Sequence, residues 1–313
     1  MFFFCLNVLT LIGSKYGLVN YIAINRTNAC YCCNFVGLIS NEYCISFRGE
    51  EFRKAFKRLG TEFMPLFDTP VLICTATAPP KKLDELIKVI NLKDPHKVVT
   101  NPDRANISLE VIQRPPSKDT EEHLEELLKP ICCGLKEDPS DYPVTIWYTD
   151  TATIAYCYAF TKNYLDKDQY VGNPVPENRI FAQYHSEYTP KMKKHIVSEL
   201  CQTNSKIRLV FATVSLGMGL NAPAIRHVVH YKPPTSLERY FQELGRAGRD
   251  GQPSRATMYY NNSDTRSNRP GITRELIAYC KQNSTCRRRF ILDYFGHQIN
   301  EASARCCDIC EEN

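Results

Sequence analysis

Gln242, Arg246 and Arg249, with Gly245 and Gly248 between them, are residue types suited to binding a phosphoester. Guanidinium forks meet phosphate oxygens bidentately, and glycines let the backbone come close to the bound group. A second chemistry is offered by Cys286, Cys306, Cys307 and Cys310, whose C-x19-C-C-x2-C spacing can close a tetrahedral zinc site. Cys280 is an alternative fourth ligand, and a surface disulfide or unpaired thiols are the plainer readings. Arg287, Arg288 and Arg289 could neutralise phosphates, and Tyr294 or Phe295 could stack on a base. Equally, Phe290, Ile291, Tyr294 and Phe295 form the core face of a helix whose arginines are merely solvated.

These residues need elements to hold them. Thr235 and Glu238 make a T-x-x-E capping box, so a helix is expected to start near Ser236. Leu237, Tyr240, Phe241 and Leu244 give it one apolar face, and Gln242 and Arg246 lie on the opposite face, joined by Arg249 if the helix persists. Upstream, strands are expected at 107–112, 144–148, 180–184, 208–212 and 228–231. Helices are expected at 120–133 (with a polar loop over 134–142), at 151–165, and from the Thr189–Pro190 start to about Gln202. A further helix starts at Pro79–Pro80 and one lies around 274–280. The alternation is that of a doubly wound parallel sheet, whose ligands sit beyond the C-terminal strand ends.

At 313 residues the chain has room for about two domains. A net charge of +5 suits an anionic partner. Its 15 cysteines are not evenly spaced as in a small secreted disulfide scaffold, and fit one metal cluster with several buried thiols. The apolar run Met1–Ile12 has no preceding basic residue and no A-x-A site, and is too short to span a bilayer. No membrane association is expected.

The string QELGRAGRDG over Gln242–Gly251 resembles motif VI of superfamily 2 helicases, in the form used by the RecQ family. Other stretches are similar to the same family. Thr75-Ala76-Thr77-Ala78 resembles motif III. Tyr184-His185-Ser186 resembles the family's Y-H-A, and Ala212-Thr213 through Gly217-Met218-Gly219-Leu220-Asn221 resembles motif V. The glycines of that last loop permit backbone amides to meet phosphate. Ser40-Asn41-Glu42-Tyr43-Cys44-Ile45-Ser46 and Gly49-Glu50-Glu51-Phe52-Arg53 resemble D-E-A-H-C-I-S and G-H-D-F-R, with the first carboxylate missing. A hard cation such as magnesium wants an anionic oxygen there. Asn221 and Ala222 replace the usual Asp and Lys, and no G-x-x-x-x-G-K-[ST] string occurs in the chain.

The resemblance implies an α/β fold: RecA-like parallel-sheet lobes with a small C-terminal zinc-binding helical subdomain. It divides the chain into an unassigned apolar segment (1–39), a remnant of the N-terminal lobe (40–103), the C-terminal lobe (104–264) and the zinc subdomain (265–313). By the same match, of the Werner-type adjacent-cysteine form, Cys286, Cys306, Cys307 and Cys310 are the zinc ligands. Arg249, Arg246 and Gln242 are catalytic, with Arg249 resembling an arginine finger. Gly217, Gly219, Asn221, Thr75 and Thr77 serve the nucleotide and interlobe contacts, and His185, Thr213 and Arg287–Arg289 meet DNA.

The implied activity is ATP- and magnesium-dependent 3′-to-5′ DNA unwinding in repair and recombination, with single-stranded or forked DNA as the partner, in the nucleus on chromosomes. Without the P-loop and an intact acidic box, the chain is expected to be N-terminally truncated and inactive alone. The alternative is a non-catalytic DNA-binding or interaction module derived from such a helicase.

Overall fold

The computed structural model describes residues 21–25, 36–39, 61–62, 71–75, 78–92, 94–115, 120–216, 222–299 and 306–311. These form two compact units, Met1–Asp103 with Arg289–Asn300, and Arg104–Arg288 with Glu301–Asn313.

In the first unit, strands β1 (Tyr21–Asn25), β2 (Val36–Ile39), β3 (Val71–Thr75) and β4 (Pro95–Val99) lie in the order β2-β3-β1-β4. β2 runs parallel to β3, but β1 runs antiparallel to both its neighbours, so the sheet is mixed. Helix α1 (Pro80–Ile90) starts at the expected proline, whose missing N–H is no loss in a first turn, and buries Leu83, Leu86 and Ile90. The box-like stretch over 40–53 and Thr77 lie outside the described residues. Thr75 ends β3, paired with Tyr21.

The second unit is built on β5 (Ile107–Gln113), α2 (Thr120–Glu137), β6 (Val144–Tyr148), α3 (Thr151–Leu165), β7 (Phe181–Tyr184), α4 (Pro190–Leu200), β8 (Leu209–Ala212) and β9 (Ile225–His230). It continues through α5 (Leu237–Leu244), β10 (Ser254–Tyr260) and α6 (Arg274–Lys281). Helix α7 (Arg287–Tyr294) begins in this unit but belongs to the first from Arg289 onward, and the short α8 (Asp308–Glu311) closes the second. The strand order is β5-β10-β9-β6-β8-β7, and every pairing is parallel. All five residues of β6 are buried, as a continuous apolar run in a covered parallel sheet requires.

Trp147 is 1% exposed, stacks on Tyr231 at 6.0 Å and meets Phe211 edge-on at 6.4 Å. Asp150 caps α3 by accepting the Thr153 amide at 2.9 Å. Among the described residues no helix is long and apolar enough to cross a membrane.

Two expectations fail on tertiary grounds. Helix α2 does not stop at Cys133; it runs through Pro130 and Gly134 to Glu137. Leu124, Leu128, Cys132 and Leu135 form one buried stripe against the Trp147 core, and that burial outweighs the hydrogen bond lost at the proline. Gly134 suits the close approach, since a Cβ there would stand 2.7 Å from the Tyr142 ring. Strand β10, absent from the expectations, inserts between β5 and β9.

Candidate functional site

The arginine-bearing segment is a turn, and the helix before it is short. Ser236 rather than Thr235 is the N-cap of α5, accepting the Arg239 amide at 3.3 Å. Leu237, Tyr240, Phe241 and Leu244 are buried as expected, and Gly245 then ends the helix. Arg246 and Arg249 therefore do not continue the polar face of α5 with Gln242; they project from the turn that follows. The Gly248 amide donates to Ile225 O, the first residue of β9, at 2.8 Å. The backbone of the turn is thus fastened to the start of β9, while the Arg246 side chain bonds that of Tyr148, the last residue of β6. His185 and Thr213 do lie at the C-terminal ends of the adjacent strands β7 and β8, with the Thr213 amide donating to Tyr184 O at 3.0 Å.

A residue that sequence reasoning missed holds the turn. Arg104 donates to Gly245 O at 3.2 Å, to Ala247 O at 3.0 Å and to Gly248 O at 2.6 Å. Its acceptors are carbonyls of the turn that follows α5, next to a helix C-terminus, where a cation is favoured by the helix dipole. Asn106 adds bonds to Gly248 O at 2.8 Å and Gln252 O at 2.9 Å. Only the crowding of polar residues in Asn101–Asn106 hinted at this capping role.

The consequence is a concentration of positive charge. Burial lowers the Arg249 guanidinium from its ordinary value, and the neighbouring Arg246 and Arg104 charges lower it further. Arg246 is 7% exposed, and its Nε is buried without a hydrogen-bond partner. Three cations near one turn repel each other, and an anion placed among them would offset that repulsion. Beneath them, His230 Nε2 meets Glu243 Oε2 at 2.8 Å, and the His230 ring stacks on Tyr148 at 5.1 Å.

Gly248 has φ +55°, and a Cβ there would fall 2.4 Å from Asn106 Nδ2, 2.6 Å from Ser254 Oγ and 2.8 Å from Gln252 O. Gly248→Ala is therefore expected to lower the unfolding free energy by about 1–3 kcal/mol, read from urea denaturation.

The second site is the cysteine cluster. The sulfurs of Cys286, Cys306, Cys307 and Cys310 all lie within 4.8 Å of one another. Cys286 Sγ is 3.4 Å from Cys306 Sγ and 3.9 Å from Cys307 Sγ. A zinc ion with bonds of about 2.3 Å separates tetrahedral thiolates by about 3.8 Å, so the donor set and spacing fit that metal. Burial pushes the Cys306 thiol up to about 11, with the Cys286 thiol adding to the rise, and a bound cation reverses that preference. Cys280 stays out of the cluster, buried with Leu276 and Tyr279 on α6.

The arginines beside the cluster correct the sequence reading. Arg287 is 5% exposed and pairs with Asp308 (Nε to Oδ1 3.0 Å, Nη2 to Oδ2 3.1 Å). It also donates to Tyr279 O at 2.8 Å and Gln282 O at 2.9 Å. Arg288 is 4% exposed and donates to Arg104 O and Ile107 O, both at 2.7 Å. Neither guanidinium faces outward to a phosphate; of the three, Arg289 alone is exposed. Phe295 and Ile291 are buried, so Phe295 offers no stacking face. Gly217, Gly219 and Asn221 lie outside the described residues.

Comparison with known proteins adds two family matches. Residues 145–251 match the family described as helicase conserved C-terminal domain, and residues 253–311 match the one described as RecQ zinc-binding. The chain is 31% identical to the bifunctional 3′-5′ exonuclease/ATP-dependent helicase WRN of Mus musculus, over 87% of this chain and 20% of that one. It is 28% identical to the ATP-dependent DNA helicase RecQ of Haemophilus influenzae, over 87% of this chain and 42% of that one. A mimiviral relative of similar identity, 29%, carries an RNA-helicase name, and the chain spans 47% of its length.

The chain thus spans less than half the length of each of these relatives. Among solved structures, Saccharomyces cerevisiae Dbp5 bound to RNA and ADP BeF3 matches with a TM-score of 0.56 at 15% identity, over 89% of this chain and 61% of that one. Mycobacterium smegmatis Lhr bound to single-stranded DNA and AMP-PNP matches with a TM-score of 0.51 at 19% identity, over 73% of this chain and 29% of that one. At these identities the likeness is one of fold.

Proposed function

We propose that this chain, a RecQ-family helicase C-terminal region, supplies the arginine side of an ATP site that drives DNA unwinding, with single-stranded or forked DNA as the bound partner. The observation that carries the reading is the convergence of Arg104, Arg246 and Arg249 on one turn, with an unpartnered Nε on a nearly buried Arg246. When ATP and magnesium are bound, phosphoryl transfer develops charge on the transferred group. Arg249 and Arg246 offset that charge, a contribution of about 10³–10⁵ in rate where the remaining parts of the site are present. Arg104 holds the turn by its carbonyls, and Gln242 precedes it on the last turn of α5.

His185 and Thr213, at neighbouring strand ends, are the proposed contacts to the DNA strand, and Arg289 adds an exposed charge. Cys286, Cys306, Cys307 and Cys310 hold one structural zinc. The DNA-helicase name of the RecQ relative and the RecQ zinc-binding match support DNA as the partner in this reading, which carries with it a nuclear, chromosomal location and a role in repair and recombination.

The P-loop string is absent from these 313 residues. ATP turnover by this chain, with and without single-stranded DNA, is accordingly expected to stay at background, while DNA binding weakens as salt rises. DNA-stimulated turnover abolished by Arg249→Ala would show a complete nucleotide site and overturn the expected inactivity. Absence of DNA binding at low salt would overturn the nucleic-acid reading.

A further inference from the structure

The cysteine cluster and the arginine turn are joined by two side chains. Arg288 Nε donates to Cys306 Sγ at 3.4 Å, while its Nη1 and Nη2 donate to Arg104 O and Ile107 O, each at 2.7 Å. Arg104 in turn spends its guanidinium on Gly245 O, Ala247 O and Gly248 O. One guanidinium thus reads a cysteine sulfur and the backbone of Arg104, and the next reads the backbone that carries Arg246 and Arg249. Both arginines are planar forks with several fixed donors, so each holds its acceptors in a defined geometry. The Arg288 end is buried, where such bonds are strong and costly to leave unmade.

We infer that Arg288 and Arg104 form a positioning relay through which the state of the cysteine cluster sets the placement of the Arg246–Arg249 turn. The inference deepens the proposed function, since the turn matters there only if it meets phosphate, but the relay itself is read without nucleotide or DNA. Neither relay residue touches a reacting group; each acts through the backbone it holds.

The test uses the full chain loaded with zinc or with cobalt(II), and compares Arg288→Gln and Arg104→Gln with the unchanged protein. Hydrogen exchange is followed at the amides of Arg246, Ala247, Gly248 and Gly251, each of which donates to a backbone carbonyl. Exchange there is expected to quicken at least about tenfold in both variants, with β6 and β8 as protected as before. The thiolate-to-cobalt absorption band is expected to shift in Arg288→Gln, which loses the donor to sulfur, and to stay in place in Arg104→Gln.

Metal content near one equivalent in both variants, with the turn loosened, supports the relay. Turn amides as protected in both variants as in the unchanged chain overturn it, as does an unshifted cobalt band in Arg288→Gln. Loss of protection throughout β6 and β8 in both variants also overturns it, because the two arginines then hold the fold at large. Failure of ATP or DNA assays, with these results standing, counts against the proposed function alone.

Discussion

Arg287→Ala is expected to lower the unfolding free energy by about 3–5 kcal/mol. The substitution strips a half-buried carboxylate of its partner: the Arg287 and Asp308 side chains are 6% and 18% exposed and meet at 3.0 Å. It also empties the donors on Tyr279 O and Gln282 O, leaving acceptors unpaired. Burial works to lower the Arg287 guanidinium, and the Asp308 carboxylate more than compensates, so the charge is held above its ordinary value. Asp308 itself accepts the Val111 amide at 3.0 Å, so the pair also fastens α8 to β5. Urea denaturation of Arg287→Ala beside Arg289→Ala separates the two roles. The exposed Arg289 should cost within about 0.5 kcal/mol but flatten the salt dependence of DNA binding. Equal stability of the two variants would return Arg287 to the phosphate-binding surface.

Cys307→Ser is the second large effect. It removes one of four thiolates from a site whose sulfurs are already gathered within 4.8 Å. Structural zinc in small peptides is bound with an apparent free energy of about 10–16 kcal/mol, and part of that is folding free energy wherever the ligands come together only in the folded chain. Cys286 lies 20 residues before Cys306, so a metal held by both would cross-link two segments of the chain. The unchanged chain is expected to carry about one zinc equivalent by elemental analysis, and the serine variant markedly less, with a melting temperature lower by several degrees. A variant without metal that melts with the unchanged chain would show that the thiols pack as ordinary buried side chains.

Some of this architecture was legible from residues alone. The run Val144–Tyr148 is β-branched or aromatic throughout, which suits a covered strand, and the helix expected at 151–165 forms over those residues. The cysteine spacing was legible because metal ligation constrains it, and the cluster forms on those four residues. What failed depended on partners distant in sequence. Nothing local says that α2 survives Pro130, because the Trp147 core decides it. Three consecutive arginines read alike whether wet or buried; Asp308, Arg104 and Ile107 make two of them structural. The polar face expected to carry Gln242, Arg246 and Arg249 broke at Gly245, and the residue that braces the resulting turn, Arg104, belongs to no motif.

One detail of the cysteine-bearing tail reaches beyond the site. The Leu109 amide donates to Cys306 O at 3.1 Å, and Leu109 bridges Cys307 in parallel, so the tail lies along β5, an end strand of the six-stranded sheet. An end strand with open donors and acceptors invites a strand from another molecule. A metal on the four cysteines would clasp the tail to the sheet's selvedge, and its removal is expected to bare part of a ready template for self-association. Chelation would then be read as loss of solubility before any loss of helix, a hazard that belongs to the sheet and not to the chemistry at the arginines.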